Sequence, residues 1–187
     1  NNVALILGDN FFYGQNLSKT LIDSSKLNNG AKIILHKVSK PEMYGVAKID
    51  KNNKPVKLIE KPKRYVSDLA VTGLYFFDKN VVKYAKNLKP SSRGEIEIID
   101  LILKYKKIKK LKAEILGRGS AWLDTGSIED FYKTSAFVSA IENRQGFKIA
   151  CLEEISLANK WIGKKEITNA IRFYGNCGYS NYLKKLT

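Results

Sequence analysis

The stretch that decides the fold is Val3-Ala4-Leu5-Ile6-Leu7-Gly8-Asp9-Asn10, near the start of the 187-residue sequence. Its first six residues are continuously apolar, which is typical of a strand covered on both faces of a parallel sheet. Such a strand belongs in a sheet's interior, so we expect partner strands upstream of it. Asp9 follows at the carboxyl end, where open α/β sheets bind their ligands. The stretch therefore predicts an α/β fold with a candidate site at Asp9.

The residues that follow predict a β-α-β unit, then a hairpin, then further strands. We expect helices at Asn16–Ser25, with Leu17, Leu21 and Ile22 on one face, and at Gly94–Tyr105. The other predicted strands are Ala31–Val38, Val46–Asp50, Pro55–Glu60, Leu69–Asp78, Leu111–Gly117 and Ala121–Asp124. Gly73, within the longest strand, indicates a bulge or a close approach of another group to the backbone.

From Ser127 onward the pattern is helical. Ser127 is a predicted N-cap, and Gly146 stands where a C-terminal cap would end the helix. Shorter helices are predicted at Glu153–Lys160 and Lys164–Tyr174. The predicted fold class is α/β: an incomplete mixed sheet flanked by helices in three layers over residues 1–126, with a helical C-terminal region over residues 127–187.

The net charge of +15 would ordinarily suggest nucleic acid or an anionic membrane as a partner. Of the 33 basic residues only five are arginines, so the excess indicates lysine-rich composition more than a surface built for phosphate geometry. The densest run, Lys104–Lys112, is interpreted as a solvated helix end and loop. We therefore expect neither nucleic acid nor membrane as a partner, although a basic nucleic-acid binder stays open as an alternative.

Other features of the composition favour a cytoplasmic location. No apolar run approaches the roughly 20 residues needed to span a bilayer, and no basic-then-apolar leader precedes Val3. Cys151 and Cys177 match no metal-ligand spacing, and we expect reduced thiols. The single histidine, His36, lies within a predicted strand and is interpreted as structural.

Two aspartates end apolar strands, and each is a candidate Mg²⁺ ligand. Asp9 follows the first strand, and Asp124 ends Trp122-Leu123-Asp124 just before a helix. Mg²⁺ prefers oxygen ligands and usually takes only one or two carboxylates, with phosphate and water completing its shell. Taken singly, each aspartate could instead cap the turn or helix that follows it. The two would form a metal clamp if the strand ends were adjacent.

Two further motifs contain groups suited to a sugar phosphate. Glu60-Lys61-Pro62 closes the predicted hairpin, so Lys61 could pair with a phosphate and Glu60 could accept hydrogen bonds from sugar hydroxyls. A surface charge pair is the alternative. Arg93 lies just before the predicted Gly94–Tyr105 helix, where anions bind readily.

These stretches together resemble the sugar-1-phosphate nucleotidylyltransferase family, and specifically its glucose-1-phosphate thymidylyltransferase branch. The matching stretches, which follow one another along nearly the whole chain, are Leu7–Gly14, Met43–Asp50, Leu58–Pro62, Ala70–Asp78, Pro90–Ile98, Leu116–Ser127 and Asn143–Ile155. The resemblance implies a Rossmann-like nucleotidyltransferase fold that converts dTTP and glucose 1-phosphate to dTDP-glucose and pyrophosphate with Mg²⁺. It also implies a role in dTDP-rhamnose biosynthesis and a homo-oligomer, a tetramer in the family.

The resemblance also implies roles for individual residues. Asp9 and Asp124 would bind the metal, Glu60 the glucose hydroxyls, and Lys61 and Arg93 the sugar phosphate. The rest of the glucose pocket would comprise the backbone of Gly45 and Val71 with the rings of Tyr75 and Trp122. A regulatory nucleotide site at a subunit interface would include Tyr13, Gly14, Gly117 and Arg118.

The sequence departs from the family pattern at its front. Family members begin with a GGxGTRL loop that holds the triphosphate, and no loop of that form occurs here. We therefore expect a fragment, or else a reduced descendant, with little or no thymidylyltransferase activity alone. Ile99 replaces a usual threonine, and Gln15-Asn16 follows the Phe12–Gly14 stretch. The alternatives are a non-catalytic sugar-phosphate-binding or oligomerisation module and a UTP-using sugar-1-phosphate uridylyltransferase.

Overall fold

The computed structural model describes residues 2–91 and 94–187. It divides into two compact units, Asn1–Gly126 and Ser127–Thr187. The strands of the first unit are β1 (Val3–Ile6), β2 (Asn10–Gly14), β3 (Ala31–Lys37), β4 (Gly45–Ile49), β5 (Pro55–Glu60), β6 (Leu69–Phe77), β7 (Leu111–Ile115) and β8 (Ser120–Asp124). Its helices are α1 (Leu17–Ser25), α2 (Val81–Lys86) and α3 (Ile98–Lys107), with a short 3₁₀ turn at Pro41–Met43.

The first unit is built on a mixed sheet in the order β5-β4-β6-β3-β7, with β1 also paired to β6. β3 and β7 are parallel, whereas β6 is antiparallel to β1, β3 and β4. Phe77 pairs with Val3 on one side and with Ala31 on the other, so β6 separates β1 from β3. The two strands of the predicted β-α-β unit therefore run in the same direction but are not neighbours.

Side chains alternate between the two faces of this sheet, as the period of two in a strand requires. Ile33 and Tyr75 pack with α3 in one buried cluster, and Ile34 and Phe76 pack with Leu27 after α1 in another. Helices therefore cover both faces of the sheet. The predicted α/β fold class, a mixed sheet flanked by helices, is confirmed.

The prediction that the first strand is buried on both faces is wrong. All four residues of β1 are exposed, and Ile6 reaches 59%. On α1, Leu21 and Ile22 are exposed as well. Within residues 2–91 and 94–187, β1 has a pairing partner on one edge only. Its apolar side chains also lack the cover on both faces that the sequence pattern predicts.

The helix predicted to begin at Gly94 begins instead at Ile98. Gly94 has φ of 79°, outside the helical region, and its N–H donates to the carbonyl of Ser91 at 2.9 Å. A turn therefore occupies the position of the predicted first helical turn. Ser92 and Arg93 lie outside the described residues.

The second unit is helical. It contains α4 (Ile128–Gln145), α5 (Leu152–Ala158), α6 (Lys164–Tyr174) and α7 (Gly178–Leu183), followed by a 3₁₀ turn at Lys184–Leu186. The Ser127 hydroxyl accepts a hydrogen bond from the N–H of Asp130, and Gly146 ends α4 with φ of 73°. Both predicted caps are therefore confirmed. Ile167 and Leu183 are fully buried in its small core. Within the described residues, no helix is long and apolar enough to cross a bilayer.

Candidate functional site

A cavity of about 210 Å³ opens in the first unit beside the middle of β6, where β1 and β8 end near the hairpin formed by β4 and β5. Its lining contains both charged and aromatic side chains. The lining residues are Leu7, Asp9, Asn10, Met43, Tyr44, Gly45, Glu60, Lys61, Val71, Gly73, Tyr75, Ile98, Ile99, Ile102, Trp122 and Asp124.

The two predicted metal-binding aspartates both line this cavity. A two-stranded ribbon brings them together, because β2 pairs antiparallel with β8 and Asn10 stands opposite Asp124. The carbonyl of Asp9 accepts two hydrogen bonds from Thr125, at 2.8 Å from its N–H and 2.9 Å from its hydroxyl. The backbone at both strand ends is therefore tied together, and the aspartates are neighbours.

One point beside Gly126 lies within 4 Å of an oxygen of each carboxylate, and the Gly126 N–H donates to Asp124 Oδ1 at 2.9 Å. A β-carbon built on Gly126 would lie 3.1 Å from Asp124 Oδ1 and 3.9 Å from Asp9 Oδ2. Within the described residues, no group of three or more His, Cys, Asp or Glu could hold a metal ion. The pair alone suits Mg²⁺, which commonly takes one or two carboxylates and completes its octahedron with phosphate and water.

Glu60 and Lys61 approach the same cavity from the end of β5. Glu60 pairs with Gly45 across the hairpin, and a β-carbon on Gly45 would stand 2.7 Å from Glu60 Oε2. Only glycine therefore leaves the Glu60 carboxylate where it is. Lys61 donates its N–H to the carbonyl of Tyr44 at 3.0 Å and adopts φ of 41°, which is uncommon for a residue with a side chain.

Aromatic rings form much of the remaining wall. Tyr75 is 3% exposed, and burial raises the pKa of its hydroxyl, with further increases from the negative charges of Glu60 and Asp9. The Trp122 ring contacts that of Tyr44, with centroids 5.0 Å apart. The protonated hydroxyl of Tyr75 can act as a hydrogen-bond donor in the cavity.

All but one of the predicted sugar-phosphate and metal residues are thus brought together in one cavity. Asp9, Gly45, Glu60, Lys61, Val71, Tyr75, Trp122 and Asp124 all line the cavity. Arg93 lies outside the described residues. Asn10 and Gly73 also line it, and sequence reasoning assigned neither to the site. Gly73 did carry a signal, since a glycine within a strand indicates close approach, whereas an asparagine after an aspartate carries none.

The predicted regulatory residues lie elsewhere. Tyr13 and Gly14 end β2 at the far end of the ribbon from Asp124, and Gly14 pairs with Ser120. The N–H of Ser120 donates to the carbonyl of Gly117 at 2.9 Å, and Arg118 is exposed in this turn. These residues are near one another but do not line the cavity.

His36 lies behind the cavity wall. Its Nε2 is 3.1 Å from the carbonyl oxygen of Ser120, and its ring centroid is 6.2 Å from that of Trp122. A carbonyl oxygen can only accept, so Nε2 is the donor in this contact. Nδ1 is buried and has no hydrogen-bond partner in the described part of the chain.

The mixed sheet flanked by helices is the fold of a nucleotidyl transferase. The nucleotidyl transferase family matches residues 1–141, and the chain belongs to that family. The family resemblance seen in the sequence is thereby confirmed.

Curated relatives carry a more specific name. The glucose-1-phosphate thymidylyltransferase of Neisseria meningitidis is 44% identical over 185 residues, which is 99% of this chain and 64% of the relative. That of Mycobacterium tuberculosis is 39% identical over 185 residues, covering 99% of this chain and 64% of the relative. The chain thus spans less than two thirds of the length of these relatives.

Solved structures agree on the fold. A Bacillus anthracis protein described as a glucose-1-phosphate thymidylyltransferase, crystallised with sucrose, aligns with TM-score 0.64 and 36% identity. The alignment covers 73% of this chain and 54% of that one. A UDP-glucose pyrophosphorylase complexed with UDP-glucose aligns with TM-score 0.62 over 72% of this chain and 55% of that one, at 22% identity. At that identity the second match supports the fold alone.

Proposed function

We propose that this chain binds glucose 1-phosphate and Mg²⁺ in the cavity of about 210 Å³, as its part in a glucose-1-phosphate thymidylyltransferase reaction. One observation carries the proposal: the same cavity is bordered by the neighbouring carboxylates of Asp9 and Asp124 and by Glu60 and Lys61. The names of the relatives supply the identity of the sugar phosphate and of the nucleotide, dTTP.

In this reaction a phosphate oxygen of glucose 1-phosphate attacks the α-phosphorus of dTTP. A new phosphorus–oxygen bond forms, the bond from the α-phosphorus to the bridging oxygen breaks, and pyrophosphate leaves. Two polyanions must approach each other, so the reaction needs charge neutralisation and alignment more than acid–base groups. A divalent ion supplies that neutralisation when bound.

The chain's own residues would each have a distinct task. Lys61 would donate hydrogen bonds to the sugar phosphate, and Glu60 would accept them from sugar hydroxyls. Asp9 and Asp124 would hold the Mg²⁺. Assigning Arg93 to the same phosphate rests on sequence resemblance alone.

The remaining groups would shape the pocket. The backbone of Gly45 and Val71 would contact the glucose, and the rings of Tyr75 and Trp122 would form its walls. A regulatory nucleotide site with the turn around Arg118, a homo-oligomeric assembly, a cytoplasmic location and a place in dTDP-rhamnose biosynthesis belong to the same proposal, and they rest on the family resemblance.

A thymidylyl transfer is favoured over the uridylyl alternative. The relatives at 39–44% identity are thymidylyltransferases by name. The uridine-sugar enzyme is 22% identical, a level that supports the fold and not the choice of base.

Calorimetry with glucose 1-phosphate and Mg²⁺ tests the proposal on the 187-residue chain. Removing the ammonium group in Lys61→Ala should weaken sugar-phosphate binding by about tenfold or more, since a hydrogen bond to a charged group contributes roughly 1.5–3 kcal/mol. The matched control is Lys63→Ala, because Lys63 is an exposed lysine two positions away that does not line the cavity.

The outcomes separate clearly. Weaker binding by Lys61→Ala together with unchanged binding by Lys63→Ala supports the cavity as the sugar-phosphate site. If both variants bind glucose 1-phosphate as tightly as the wild type, Lys61 does not contact the sugar phosphate and the proposal is overturned.

A further inference from the structure

The side-chain amide of Asn10 lies at the junction of β1, β6 and β8. Its Oδ1 accepts two hydrogen bonds, from the N–H of Gly73 at 2.9 Å and from the indole Nε1–H of Trp122 at 2.6 Å. Its Nδ2 donates to Oδ1 of Asp9 at 2.8 Å. Asn10 thus connects a carboxylate of the candidate metal site to the backbone of β6 and to the cavity wall.

These bonds leave the amide a single favourable orientation. If the amide were flipped, its NH₂ group would face two N–H donors and its oxygen would face the Asp9 carboxylate. Both contacts would be repulsive. The donors from Gly73 and Trp122 therefore ensure that an N–H of Asn10 points at Asp9.

Gly73 is required for this arrangement. A β-carbon at position 73 would stand 2.6 Å from both Cγ and Oδ1 of Asn10 and 2.8 Å from its Nδ2. In addition, the pairing of β3 with β6 shifts register between Ile33 and Leu35, opposite the part of β6 that contains Gly73. The glycine therefore marks both a bulge and the close approach of the Asn10 side chain.

The two oxygens of the Asp9 carboxylate have different neighbours. Oδ1 of Asp9 accepts from Asn10, while Oδ2 is the oxygen 3.9 Å from the point beside Gly126 that Asp124 Oδ1 also borders. One oxygen is thus held by Asn10, and the other is the one nearer to the point beside Gly126. Partners of this kind fix the orientation of metal ligands, and their loss typically lowers metal affinity by about 10–100-fold.

We propose that Asn10 is a positioning residue that holds the Asp9 carboxylate towards Asp124 for a divalent cation, and that Gly73 is glycine so that Asn10 can do so. The proposal rests on the metal site of the proposed function and extends it to two residues. Asn10 contacts Asp9 and acts on the cation only through it.

Mn²⁺ binding to the 187-residue chain, followed by the electron paramagnetic resonance signal of free Mn²⁺, tests the proposal. Asn10→Ala should bind Mn²⁺ about tenfold more weakly than the wild type. Gly73→Ala should weaken binding similarly, because its methyl group displaces the amide. In the double variant that combines Asn10→Ala with Gly73→Ala, the second substitution should cause no further loss of Mn²⁺ affinity, because the Asn10 amide through which it acts has been removed.

A second measurement reports on the network without metal. The chain has two tryptophans, and Trp161 is 71% exposed, so its indole N–H serves as an internal standard in a ¹H–¹⁵N spectrum. In Asn10→Ala the Trp122 indole N–H should exchange with water faster, while that of Trp161 is unchanged. A general loss of folding would alter the whole spectrum instead.

The result can also contradict the proposal in distinct ways. If Asp124→Asn binds Mn²⁺ as tightly as the wild type, the metal site itself is wrong. If Asp124→Asn binds weakly but Asn10→Ala binds normally, the metal site stands and the positioning role is overturned. Additive effects of Gly73→Ala and Asn10→Ala would also overturn it.

Discussion

Asp9 and Asp124 are neighbours because the residue after Asp9, Asn10, is paired with Asp124 in the ribbon of β2 and β8. Thr125, the residue after Asp124, donates both its N–H and its hydroxyl to the carbonyl of Asp9. Two strand ends that are distant in sequence are therefore held together by backbone bonds. Asp124 Oδ1 and Asp9 Oδ2 both lie within 4 Å of the point that a β-carbon on Gly126 would occupy.

Filling that point should weaken cation binding without removing a charge. Gly126→Ala would place a methyl group 3.1 Å from Asp124 Oδ1 and 3.9 Å from Asp9 Oδ2. We expect Mn²⁺ affinity to fall by about tenfold, because a bound cation and the methyl group would compete for the same space. The free-Mn²⁺ resonance signal measures the change.

Gly119→Ala is the matched control for this substitution. Gly119 lies in the same unit, and a β-carbon there would meet nothing within 4 Å. Its Mn²⁺ affinity should equal that of the wild type. Equal affinity of Gly126→Ala would show that the cation, if bound, does not occupy the gap between the two carboxylates.

The sequence allowed both aspartates to be predicted, but not their contact. Each lies at the end of an apolar strand, a local pattern that can be recognised without the fold. Their proximity depends on the β2–β8 pairing, and β2 was not predicted because its half-buried residues do not alternate between apolar and polar. Asn10 was missed for a related reason, since two of its three hydrogen bonds are to Gly73 and Trp122, which are far from it in the chain.

The first strand shows the limit of burial prediction from hydropathy. A continuously apolar run predicts cover on both faces, but cover depends on which other elements lie beside the strand. Here β6 pairs with one edge of β1, and Leu5 is 37% exposed. The shared direction of β1 and β3 agrees with the predicted β-α-β unit, whereas their separation by β6 and the exposure of β1 did not follow from the pattern.

The hairpin offers a test of the sugar-binding assignment. In Gly45→Ala the new β-carbon would stand 2.7 Å from Glu60 Oε2 and displace the carboxylate, the movable end of a flexible side chain. The fold should persist, while glucose 1-phosphate binding should weaken by about tenfold, the equivalent of one lost hydrogen bond. Calorimetry gives the affinities.

A Glu60→Ala background supplies the control for Gly45→Ala. Without the carboxylate there is nothing at position 60 for the methyl group to displace, so the second substitution should have no further effect. A large additional loss in that background would mean that Gly45 acts on the sugar directly and not through Glu60.

Asp78 makes the stability of the first unit sensitive to acid. Asp78 is 3% exposed, and burial works to raise the pKa of its carboxyl group. Hydrogen bonds from the N–H of Gly30, from the Tyr105 hydroxyl and from Asn80 outweigh that effect, and the pKa is lowered overall. The carboxylate thus stabilises the fold above the unfolded-state pKa of about 3.9, and this stabilisation is lost as the pH falls through the folded-state pKa.

Asp78→Ala should therefore lower the free energy of unfolding by about 3 kcal/mol at pH 7, through lost bonds to a charged group and unsatisfied buried donors. Urea unfolding, followed by circular dichroism, measures the difference, which should shrink below about pH 4 as the wild-type carboxylate becomes protonated.

Tyr105→Phe is the companion variant for Asp78, because it removes one of these bonds and keeps the carboxylate. Its cost should be about 1–2 kcal/mol, and most of the acid sensitivity should remain. If the wild type and Asp78→Ala differed by the same amount at every pH, the Asp78 carboxylate would not be the source of the sensitivity.

The exposed apolar groove between β1 and α1 should bind hydrophobic dye. It has a volume of about 430 Å³ and is lined by Ala4, Leu5, Ile6, Leu21, Ile22, Ser25, Leu74 and Phe76. Patches of contiguous apolar surface beside an exposed strand edge are uncommon on soluble proteins and attract apolar partners. Ile22→Lys should reduce the fluorescence of added anilinonaphthalene sulfonate, even though a lysine would attract the sulfonate electrostatically.

The stability of the chain should not change in Ile22→Lys. Ile22 is 56% exposed, so the substitution should alter the free energy of unfolding by no more than about 0.5 kcal/mol. Val82→Lys is the matched control, since Val82 is 54% exposed on α2 and does not line the groove. Reduced dye fluorescence in Ile22→Lys alone would locate the apolar surface at the groove, because the two variants add the same charge at similar exposure. An equal reduction in both variants would place the dye elsewhere on the chain.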